Sequence, residues 1–254
     1  MEEMFSLTGR TALVTGSSRG LGFAMAKGLA QAGAHVFLNG RDAVGLEAKA
    51  RTLRNAGLHA DIAPFDATDE VGGRAAIEAI VSGHGHLDIL IANAGMNIRK
   101  PTLEVTTDEW RQIVDLNLTA CFTIARDAAR EMVKCKWGRI IFTGSVLSKM
   151  GRPTTPAYTA TKHGVLGLTK SLGAEFGRDG VTVNGIGPGF FKTELNIPLL
   201  ADKDFTDWVE MRTPLGRWAE PDEIAGAAVF LSSDAAAYVN GHMLMVDGGM
   251  TINA

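Results

Sequence analysis

The stretch TALVTGSSRGLGFAMAKGLAQAG (residues 11–33) joins a short apolar segment to an amphipathic segment through a glycine-rich turn. Residues 11–16 are typical of a buried strand, and the apolar spacing over residues 21–33 predicts a helix. Gly16, Gly20 and Gly22 allow a tight turn with close backbone approach. The free N–H groups at the start of the helix then favour a pyrophosphate. The spacing is G-x-x-x-G-x-G, and glycine-rich turns of this kind also occur without a ligand.

The same alternation of strand and helix recurs along the whole chain. Strands are predicted at 11–16, 35–40, within 59–69, and at 87–95, 138–145, 180–189 and 242–249. Helices are predicted at 21–33, 43–57, 70–85, Thr107–Lys136, 154–177 and 220–233. Strands that are apolar throughout are expected where helices cover both faces of a parallel sheet. The order predicts an α/β fold in which a single doubly wound, Rossmann-type parallel β-sheet of about seven strands forms one domain over residues 1–254.

Composition and charge argue against several classes of protein. The chain has 254 residues, of which 46% are hydrophobic, and its net charge of −3 does not indicate binding to nucleic acid or to an anionic membrane. Cys121 and Cys135 are the only cysteines, which fits a reducing compartment. No apolar run approaches the roughly 20 residues that span a bilayer. The acidic start MEEMFSLTGR does not resemble a signal peptide, so a cytoplasmic location is expected.

Polar residues stand at or near the carboxyl ends of the predicted strands, where ligands gather in a sheet of this kind. Asn93 ends the fourth strand and Ser145 ends the fifth. Tyr158 and Lys162 are four residues apart and therefore share one face of the following helix. A lysine ammonium one turn away favours the phenolate form of a tyrosine, which makes Tyr158 a candidate general acid and base. Asn117 lies mid-way along a predicted helix, where an amide has low propensity.

The combined motif set resembles the short-chain dehydrogenase/reductase family over essentially the whole chain. The matching residues are Thr15-Gly16-x-x-x-Gly20-x-Gly22, Asn93-Ala94-Gly95, Asn117, Ser145, Tyr158-x-x-x-Lys162 and Pro188-Gly189. The resemblance implies an NAD(P)-dependent oxidoreductase that interconverts an alcohol and a ketone, with Asn117, Ser145, Tyr158 and Lys162 as catalytic residues. It implies that Ser145 holds the substrate oxygen, that Lys162 also binds the nicotinamide ribose, and that Asn117 positions a water. It further implies a homotetramer or homodimer, with the long fourth and fifth helices at a four-helix interface.

The same resemblance implies a set of cofactor-binding residues. They are Gly16, Ser18, Arg19, Gly20, Leu21, Gly22, Asn39, Arg41, Asp66, Ala67, Asn93, Ala94, Gly95, Tyr158, Lys162, Pro188, Gly189, Phe191 and Thr193. In this set Asp66 would bind the adenine amino group, and Thr193 would reach the nicotinamide carboxamide. NADP(H) is favoured and NAD(H) remains possible, because the second strand ends in FLNGRD with no acid at its tip. Arg41 and Arg19 are expected to bind a 2′-phosphate there.

The substrate is expected to be a small carbonyl compound or alcohol, bound under a lid at about residues 189–218. The segments LNGRD and VNGIGPGFFKTE resemble the subgroup of gluconate 5-dehydrogenases and related sugar-acid reductases. Arg99, Ser145, Arg152 and Tyr158 are the predicted substrate residues. The chain carries Ile98 where this subgroup has a second arginine, and Lys149 where it tends to have an acid. Gluconate, 5-ketogluconate or a related sugar or polyol is therefore expected, since a carboxylate suits the cations near the pocket.

Two other functions remain open at this point. One is a 3-oxoacyl carrier-protein reductase, which belongs to the same family and would present a basic surface to an acidic carrier. The other is a dinucleotide-binding sensor or scaffold without catalysis, which the complete Ser145, Tyr158 and Lys162 set disfavours. No metal is predicted, because His84-Gly85-His86 lacks a third ligand at metal spacing in the sequence.

Overall fold

A computed structural model describes residues 2–253 and contains one seven-stranded sheet. The strands are β1 (Thr11–Val14), β2 (His35–Gly40), β3 (Ala60–Pro64), β4 (Ile89–Ala92), β5 (Gly138–Thr143), β6 (Val181–Pro188) and β7 (Met243–Val246). Their order across the sheet is β3-β2-β1-β4-β5-β6-β7, and every neighbouring pair is parallel. This confirms the doubly wound α/β sheet that the alternation predicts.

Helices connect the strands and cover the sheet. They are α1 (Glu2–Phe5), α2 (Gly20–Gln31), α3 (Ala43–Asn55), α4 (Glu70–His84), α5 (Thr107–Val114), α6 (Ala120–Cys135), α7 (Pro156–Phe176), α8 (Ile197–Leu200), α9 (Lys203–Arg212) and α10 (Ala225–Ser232). Short 3₁₀ turns lie at Thr102–Glu104, Val146–Ser148, Gly177–Asp179, Glu194–Asn196, Pro221–Ile224, Asp234–Ala236 and Met250–Ile252. Within residues 2–253, no helix has both the length and the apolar character needed to cross a bilayer.

Two apolar layers hold the helices against the sheet. Met25 of α2 and Ile224 pack in one layer, whereas Ile77 of α4 and Met132 of α6 pack in the other. The middle strands are buried on both faces, and every residue of β1, β4 and β5 is buried. This burial explains why these strands are mostly apolar instead of alternating between apolar and polar residues.

The strand order reverses between β1 and β4. The chain moves outward from β1 to β2 and β3, and then crosses back to β4 on the other side of β1. In open parallel sheets such a reversal creates a crevice outside the carboxyl ends of the strands. The glycine-rich turn after β1 and the Asn93 segment after β4 both border this crevice.

The helix predicted over Thr107–Lys136 is confirmed from Thr107 to Cys135, but its middle is a π turn and not a regular α-helix. A π turn at Asp115–Thr119 separates α5 from α6, and α6 ends at Cys135. Lys136 follows in the left-handed conformation, with φ of 55°. Thr106 is the N-cap, and it forms a capping box with Glu109. The π turn inserts one residue into the helical repeat, which hydrophobic periodicity alone does not reveal.

Candidate active site

Ser145 lies two residues beyond the end of β5 and begins a 3₁₀ turn. Its side-chain oxygen accepts a hydrogen bond from the backbone N–H of Leu147 at 3.1 Å, and its own N–H donates to the Ser148 hydroxyl at 3.2 Å. These two bonds form a capping box that fixes the Ser145 rotamer. Because its oxygen acts only as an acceptor here, the Ser145 hydroxyl keeps its proton available for a ligand.

Tyr158 and Lys162 lie on one face of α7, as their spacing predicts. The Lys162 ammonium nitrogen is 5.4 Å from the centre of the Tyr158 ring and donates a 2.7 Å hydrogen bond to the carbonyl of Thr143. Lys162 is only 4% exposed, so the charge is held close to the phenol and shielded from bulk water. Within residues 2–253, the Tyr158 hydroxyl forms no hydrogen bond. That hydroxyl is therefore available to a substrate.

Asn117 sits in the π turn and is fully buried. Its amide oxygen accepts a 2.8 Å hydrogen bond from the N–H of Met96, and its amide nitrogen donates to the carbonyl of Met96 at 2.8 Å. The Cys121 thiol donates to the backbone carbonyl of Asn117 at 3.3 Å. Asn117 therefore anchors the segment after β4 to the helix that follows it, which explains a buried amide at this position.

The turn after β1 has the shape of a dinucleotide cradle. A Cβ atom at Gly16 would lie 2.8 Å from the Cα of Ala94, and one at Gly22 would lie 2.4 Å from the carbonyl oxygen of Gly16. Gly16 and Gly20 also have positive φ angles of 61° and 55°. No side chain caps the start of α2, so its first N–H groups remain free for an anion. The residues present thus fit the pyrophosphate of a dinucleotide.

Asn93 joins the ends of three strands. Its side-chain nitrogen donates to the carbonyls of Thr15 and Gly16 at 3.0 and 3.1 Å, and its side-chain oxygen accepts from the Thr143 hydroxyl at 3.2 Å. The N–H groups of Asn93 and Ala94 both donate to the Thr15 hydroxyl. These bonds hold the ends of β1, β4 and β5 together beneath the cradle.

Strand β2 ends at Gly40 without an acidic residue, and two arginines, Arg41 and Arg19, lie beside its tip. The Asn39 side chain is buried, accepts from the N–H of Gly16 at 3.1 Å and donates to the carbonyls of Ala63 and Phe65. Arg41 is 83% exposed at its side chain and lies 3.9 Å from the Asp66 carboxylate. Arg19 forms a 3.3 Å ion pair with Glu194 of the predicted lid. Asn39 therefore supports the loop from below, whereas both arginines face solvent beside it.

The other predicted cofactor residues lie along the same edge of the sheet, at the carboxyl ends of the strands. Asp66 follows β3, where hydrogen bonds from Thr68 lower the pKa of its carboxyl group, and Ala67 is next to it. Ser18 and Leu21 are partly exposed in the cradle, Pro188 ends β6, and Gly189 follows it. Phe191 packs its ring into the core, so only its backbone faces the edge. Thr193 lies opposite Gly20, with its side chain 3.8 Å from the site of a Cβ there.

Arg99 lies close to Tyr158 and to Arg152. Burial lowers the pKa of the Arg99 guanidinium, and the nearby Tyr158 partly offsets that effect. Burial also lowers the pKa of Arg152, and the charge of Arg99 lowers it further. Both groups stay charged at neutral pH, because the ordinary pKa of arginine is above 12. Within residues 2–253 neither guanidinium forms an ion pair with a carboxylate.

Aromatic rings of the lid hold Arg152 in place. Its guanidinium carbon lies 4.5 Å from the ring centre of Phe205 on α9, and 6.0 and 5.8 Å from those of Phe190 and Trp208. Phe205 and Trp208 stack at 5.4 Å, and Trp218 completes the cluster. Cation–π contacts of this kind orient an arginine without neutralising its charge. Lys149, which the sequence also places near the pocket, is exposed.

Some contacts at the candidate site were not among the sequence predictions. The Thr143 carbonyl that receives Lys162 and the Glu194 carboxylate that pairs with Arg19 were not identified. Neither has a local sequence signal, because the partners lie 19 and 175 residues apart along the chain. The contacts of Arg152 with the aromatic rings were not predicted either, and the Phe190-Phe191 pair after β6 is the local sequence feature that belongs to this cluster.

Comparison with known proteins identifies the family. The family model described as enoyl-(acyl carrier protein) reductase matches residues 16–251. Gluconate 5-dehydrogenase of Gluconobacter oxydans (strain 621H) is 45% identical over 251 residues, covering 99% of this chain and 98% of that protein. The chain belongs to the short-chain dehydrogenase/reductase family.

Other members of this short-chain dehydrogenase/reductase family also match over nearly the full length of the chain. The 5-keto-D-gluconate 5-reductase of Escherichia coli (strain K12) is 42% identical over 252 residues, covering 99% of both chains. A gluconate 5-dehydrogenase from Burkholderia cenocepacia J2315, solved in complex with NADP and tartrate, is 43% identical with a TM-score of 0.97 and covers 100% of this chain and 99% of that one. The protein is therefore an NAD(P)-dependent dehydrogenase/reductase that acts on CH–OH groups, as its motifs indicate.

Proposed function

We propose that this short-chain dehydrogenase/reductase interconverts a secondary alcohol and a ketone on a sugar acid, such as gluconate and 5-ketogluconate, with NADP(H). The observation that carries the proposal is the pair Arg99 and Arg152, of which Arg99 is exposed next to Tyr158 and Arg152 is half-buried near Arg99. Neither has a carboxylate partner among residues 2–253. Two like charges held close together repel each other, and an anion between them removes that repulsion.

A carboxylate is the anion that fits this pair best. Guanidinium groups present paired N–H donors that match the two oxygens of a carboxylate. The relatives support this assignment, because their names refer to gluconate and 5-keto-D-gluconate, and the Burkholderia cenocepacia structure holds tartrate, a hydroxy acid. A sugar acid bound through its carboxylate would then present a hydroxyl or ketone carbon near Tyr158.

The proton chemistry is assigned to Tyr158, Ser145 and Lys162. A bound nicotinamide accepts or supplies the hydride at the substrate carbon. In the reductive direction the Tyr158 hydroxyl donates its proton to the oxygen that becomes an alcohol, and in the oxidative direction the phenolate takes that proton back. The free proton of Ser145 donates a hydrogen bond to the same oxygen. The buried ammonium of Lys162 stabilises the phenolate that forms when the proton leaves.

Asn117 is assigned an indirect role. Its side chain is committed to both backbone groups of Met96, so it keeps the segment that leads to Arg99 next to the catalytic helix. Its backbone carbonyl lies in the π turn, where the helical repeat is interrupted. We assign to that carbonyl the water contact that links Lys162 to solvent.

NADP(H) is proposed as the preferred cofactor. Arg41 is exposed beside the tip of β2, and Arg19 lies in the glycine-rich turn, so both could reach a 2′-phosphate on the adenine ribose. No acidic residue ends β2 to accept the ribose 2′-hydroxyl of NAD(H). The Burkholderia cenocepacia relative was solved with NADP, which supports the same preference.

We also propose a homotetramer or homodimer in the cytoplasm. Trp110 of α5 and Phe122 of α6 remain 41% and 39% exposed on the helices that the family resemblance places at a four-helix interface. Exposed aromatic side chains on these helices favour association with another protein chain. Light scattering coupled to size-exclusion chromatography tests this part, and a monomer at micromolar concentration would contradict it.

A substrate panel tests the proposed function. The purified protein is assayed for NADPH oxidation with 5-keto-D-gluconate, with L-sorbose and with an acetoacetyl thioester. L-sorbose carries a hydroxymethyl group where 5-keto-D-gluconate carries its carboxylate. The proposal predicts that kcat/KM for 5-keto-D-gluconate exceeds the other two by about 10-fold or more, the value of a charge-assisted hydrogen bond. Preference for the thioester would favour a carrier-protein reductase, and NADPH binding without turnover would favour a sensor.

A further inference from the structure

Three potential metal ligands meet at the edge of the sheet opposite the candidate active site. His35 is the first residue of β2, Asp61 is the second residue of β3, and His84 is the last residue of α4. One ligand atom from each residue lies within 4.8 Å of the other two. The amino ends of β2 and β3 are at this edge, whereas the cofactor cradle follows the carboxyl ends. The cluster is therefore separate from the catalytic centre.

The geometry of the cluster is close to that of a metal site. The Nε2 atom of His35 lies 2.7 Å from an oxygen of Asp61, and the His35 and His84 rings meet edge to face with centres 4.4 Å apart. Ligands around a tetrahedral zinc ion are about 3.4 Å apart, because each bond is about 2.1 Å long. The side chains of Asp61 and His84 are exposed enough for small rotations to reach that spacing.

The backbone and packing already fix most of this arrangement. His35 stacks on Phe37 with ring centres 5.3 Å apart, and Phe37 also contacts the His84 ring edge to face at 5.0 Å. The ligands project from two paired strands and from the end of a helix, which are rigid supports for a site. His84 reaches Phe37 because α4 packs its apolar face over β2 and β3.

The two oxygens of the Asp61 carboxylate have different partners, and a metal ion would bind at the one that faces His35. Arg54 lies 3.6 Å from the Oδ1 atom of Asp61, and the Oδ2 atom faces His35. Arg54 also donates to the carbonyl of Ala60 at 2.8 Å and pairs with Glu47, so its charge is balanced by a second acid. Arg54 therefore holds Asp61 in orientation from the side away from the histidines.

We propose that His35, Asp61 and His84 bind a divalent transition metal ion such as Zn²⁺. Two imidazole nitrogens and one carboxylate oxygen suit Zn²⁺, Ni²⁺ and Co²⁺, whereas Mg²⁺ and Ca²⁺ prefer oxygen ligands alone. The fourth position of a tetrahedral ion faces solvent at this edge, so a water molecule completes the shell. The bound ion would cross-link β2, β3 and α4, and its effect is on stability and not on the reaction.

Isothermal titration of the tag-free protein with ZnCl₂ tests the proposal, with MgCl₂ as the comparison ion. We expect one Zn²⁺ per chain, no heat from Mg²⁺, and a melting temperature that rises with Zn²⁺ concentration. His84→Gln and His35→Gln should each weaken Zn²⁺ binding by about tenfold or more. Dehydrogenase activity of both variants should stay near the wild-type value, because the site lies away from the cofactor.

His242→Gln is the matched control, since His242 is an exposed histidine outside the cluster. Circular dichroism and melting curves without metal establish that each variant folds, and His84→Gln changes an exposed side chain at a helix end. Zn²⁺ binding that is equally strong in His84→Gln, or that is lost only in His242→Gln, would overturn the proposal. Several weak Zn²⁺ sites per chain without a change in melting temperature would overturn it as well.

Discussion

The backbone N–H of Lys100 donates a 2.9 Å hydrogen bond to the carbonyl of Thr154. This bond joins the segment after β4, which carries Arg99, to the segment before α7, which carries Arg152. Thr154 has a φ of +67°, in the left-handed region that a β-branched residue rarely adopts. Backbone strain of this kind persists where the surrounding structure imposes it, and it often occurs at functional sites. We infer that the strained turn sets the spacing between the two arginines.

Replacing Thr154 with glycine tests that inference. Glycine adopts a positive φ without strain, so Thr154→Gly should fold with a free energy of unfolding within about 1 kcal/mol of the wild type. The turn becomes freer to move, so KM for 5-keto-D-gluconate should rise several-fold while KM for L-sorbose stays constant. Thr154→Asn is the control, because asparagine tolerates the left-handed region and should keep KM low. An equal rise in KM for both substrates would show that the turn has no special link to the carboxylate.

Removing the Tyr158 hydroxyl tests the proton chemistry. Tyr158→Phe keeps the ring and its packing, so the protein should fold and still bind NADPH. We expect kcat to fall by about 10²- to 10⁴-fold, the usual contribution of a positioned general acid. Steady-state kinetics, with fluorescence titration of NADPH as the control, measure both effects. A variant that keeps most of its kcat would assign the proton to another group.

Arg41 is predicted to select NADP(H) over NAD(H). Arg41→Ala removes an exposed cation beside the tip of β2, so KM for NADP should rise by about 10- to 100-fold while KM for NAD changes little. Glu194→Gln is the matched variant, because it breaks the ion pair to Arg19 without removing a cation. It should leave KM for NADP unchanged or lower it. Parallel increases for both cofactors in Arg41→Ala would mean that Arg41 does not contact the 2′-phosphate.

Local spacing was enough to predict the helix that carries Tyr158 and Lys162. Tyr158 and Lys162 share a face because the helical repeat is set within five residues, and the apolar spacing of α7 marks that repeat. The glycine spacing after β1 and the apolar character of the strands likewise predicted the sheet and the place of the cradle. These features depend on neighbours along the chain, so they can be read without the fold.

Long-range contacts could not be predicted in the same way. The burial of Lys162 against Thr143 depends on how α7 packs on β5, and the pairing of Arg19 with Glu194 depends on where the lid crosses the glycine turn. The π turn at Asp115–Thr119 accompanies the two bonds between Asn117 and Met96, which are visible only when β4 and the helix are placed together. His35 and His84 are 49 residues apart in the sequence. Only the packing of α4 on the sheet places both of them close to Asp61.

Recognition of a carboxylate by Arg99 and Arg152 is the central claim, and one kinetic ratio tests it most directly. The ratio is kcat/KM for 5-keto-D-gluconate divided by kcat/KM for L-sorbose, measured in the wild type, Arg99→Met, Arg152→Met and Lys149→Met. Methionine keeps an apolar stem and removes the charge, and Lys149 is an exposed cation that serves as the control.

The account predicts that each arginine variant lowers the ratio by about 10- to 100-fold through a higher KM for the acid, while Lys149→Met leaves it unchanged. Activity on L-sorbose should stay constant throughout, because the proton chemistry at Tyr158 is untouched. A ratio that does not change in Arg99→Met and Arg152→Met would contradict the account.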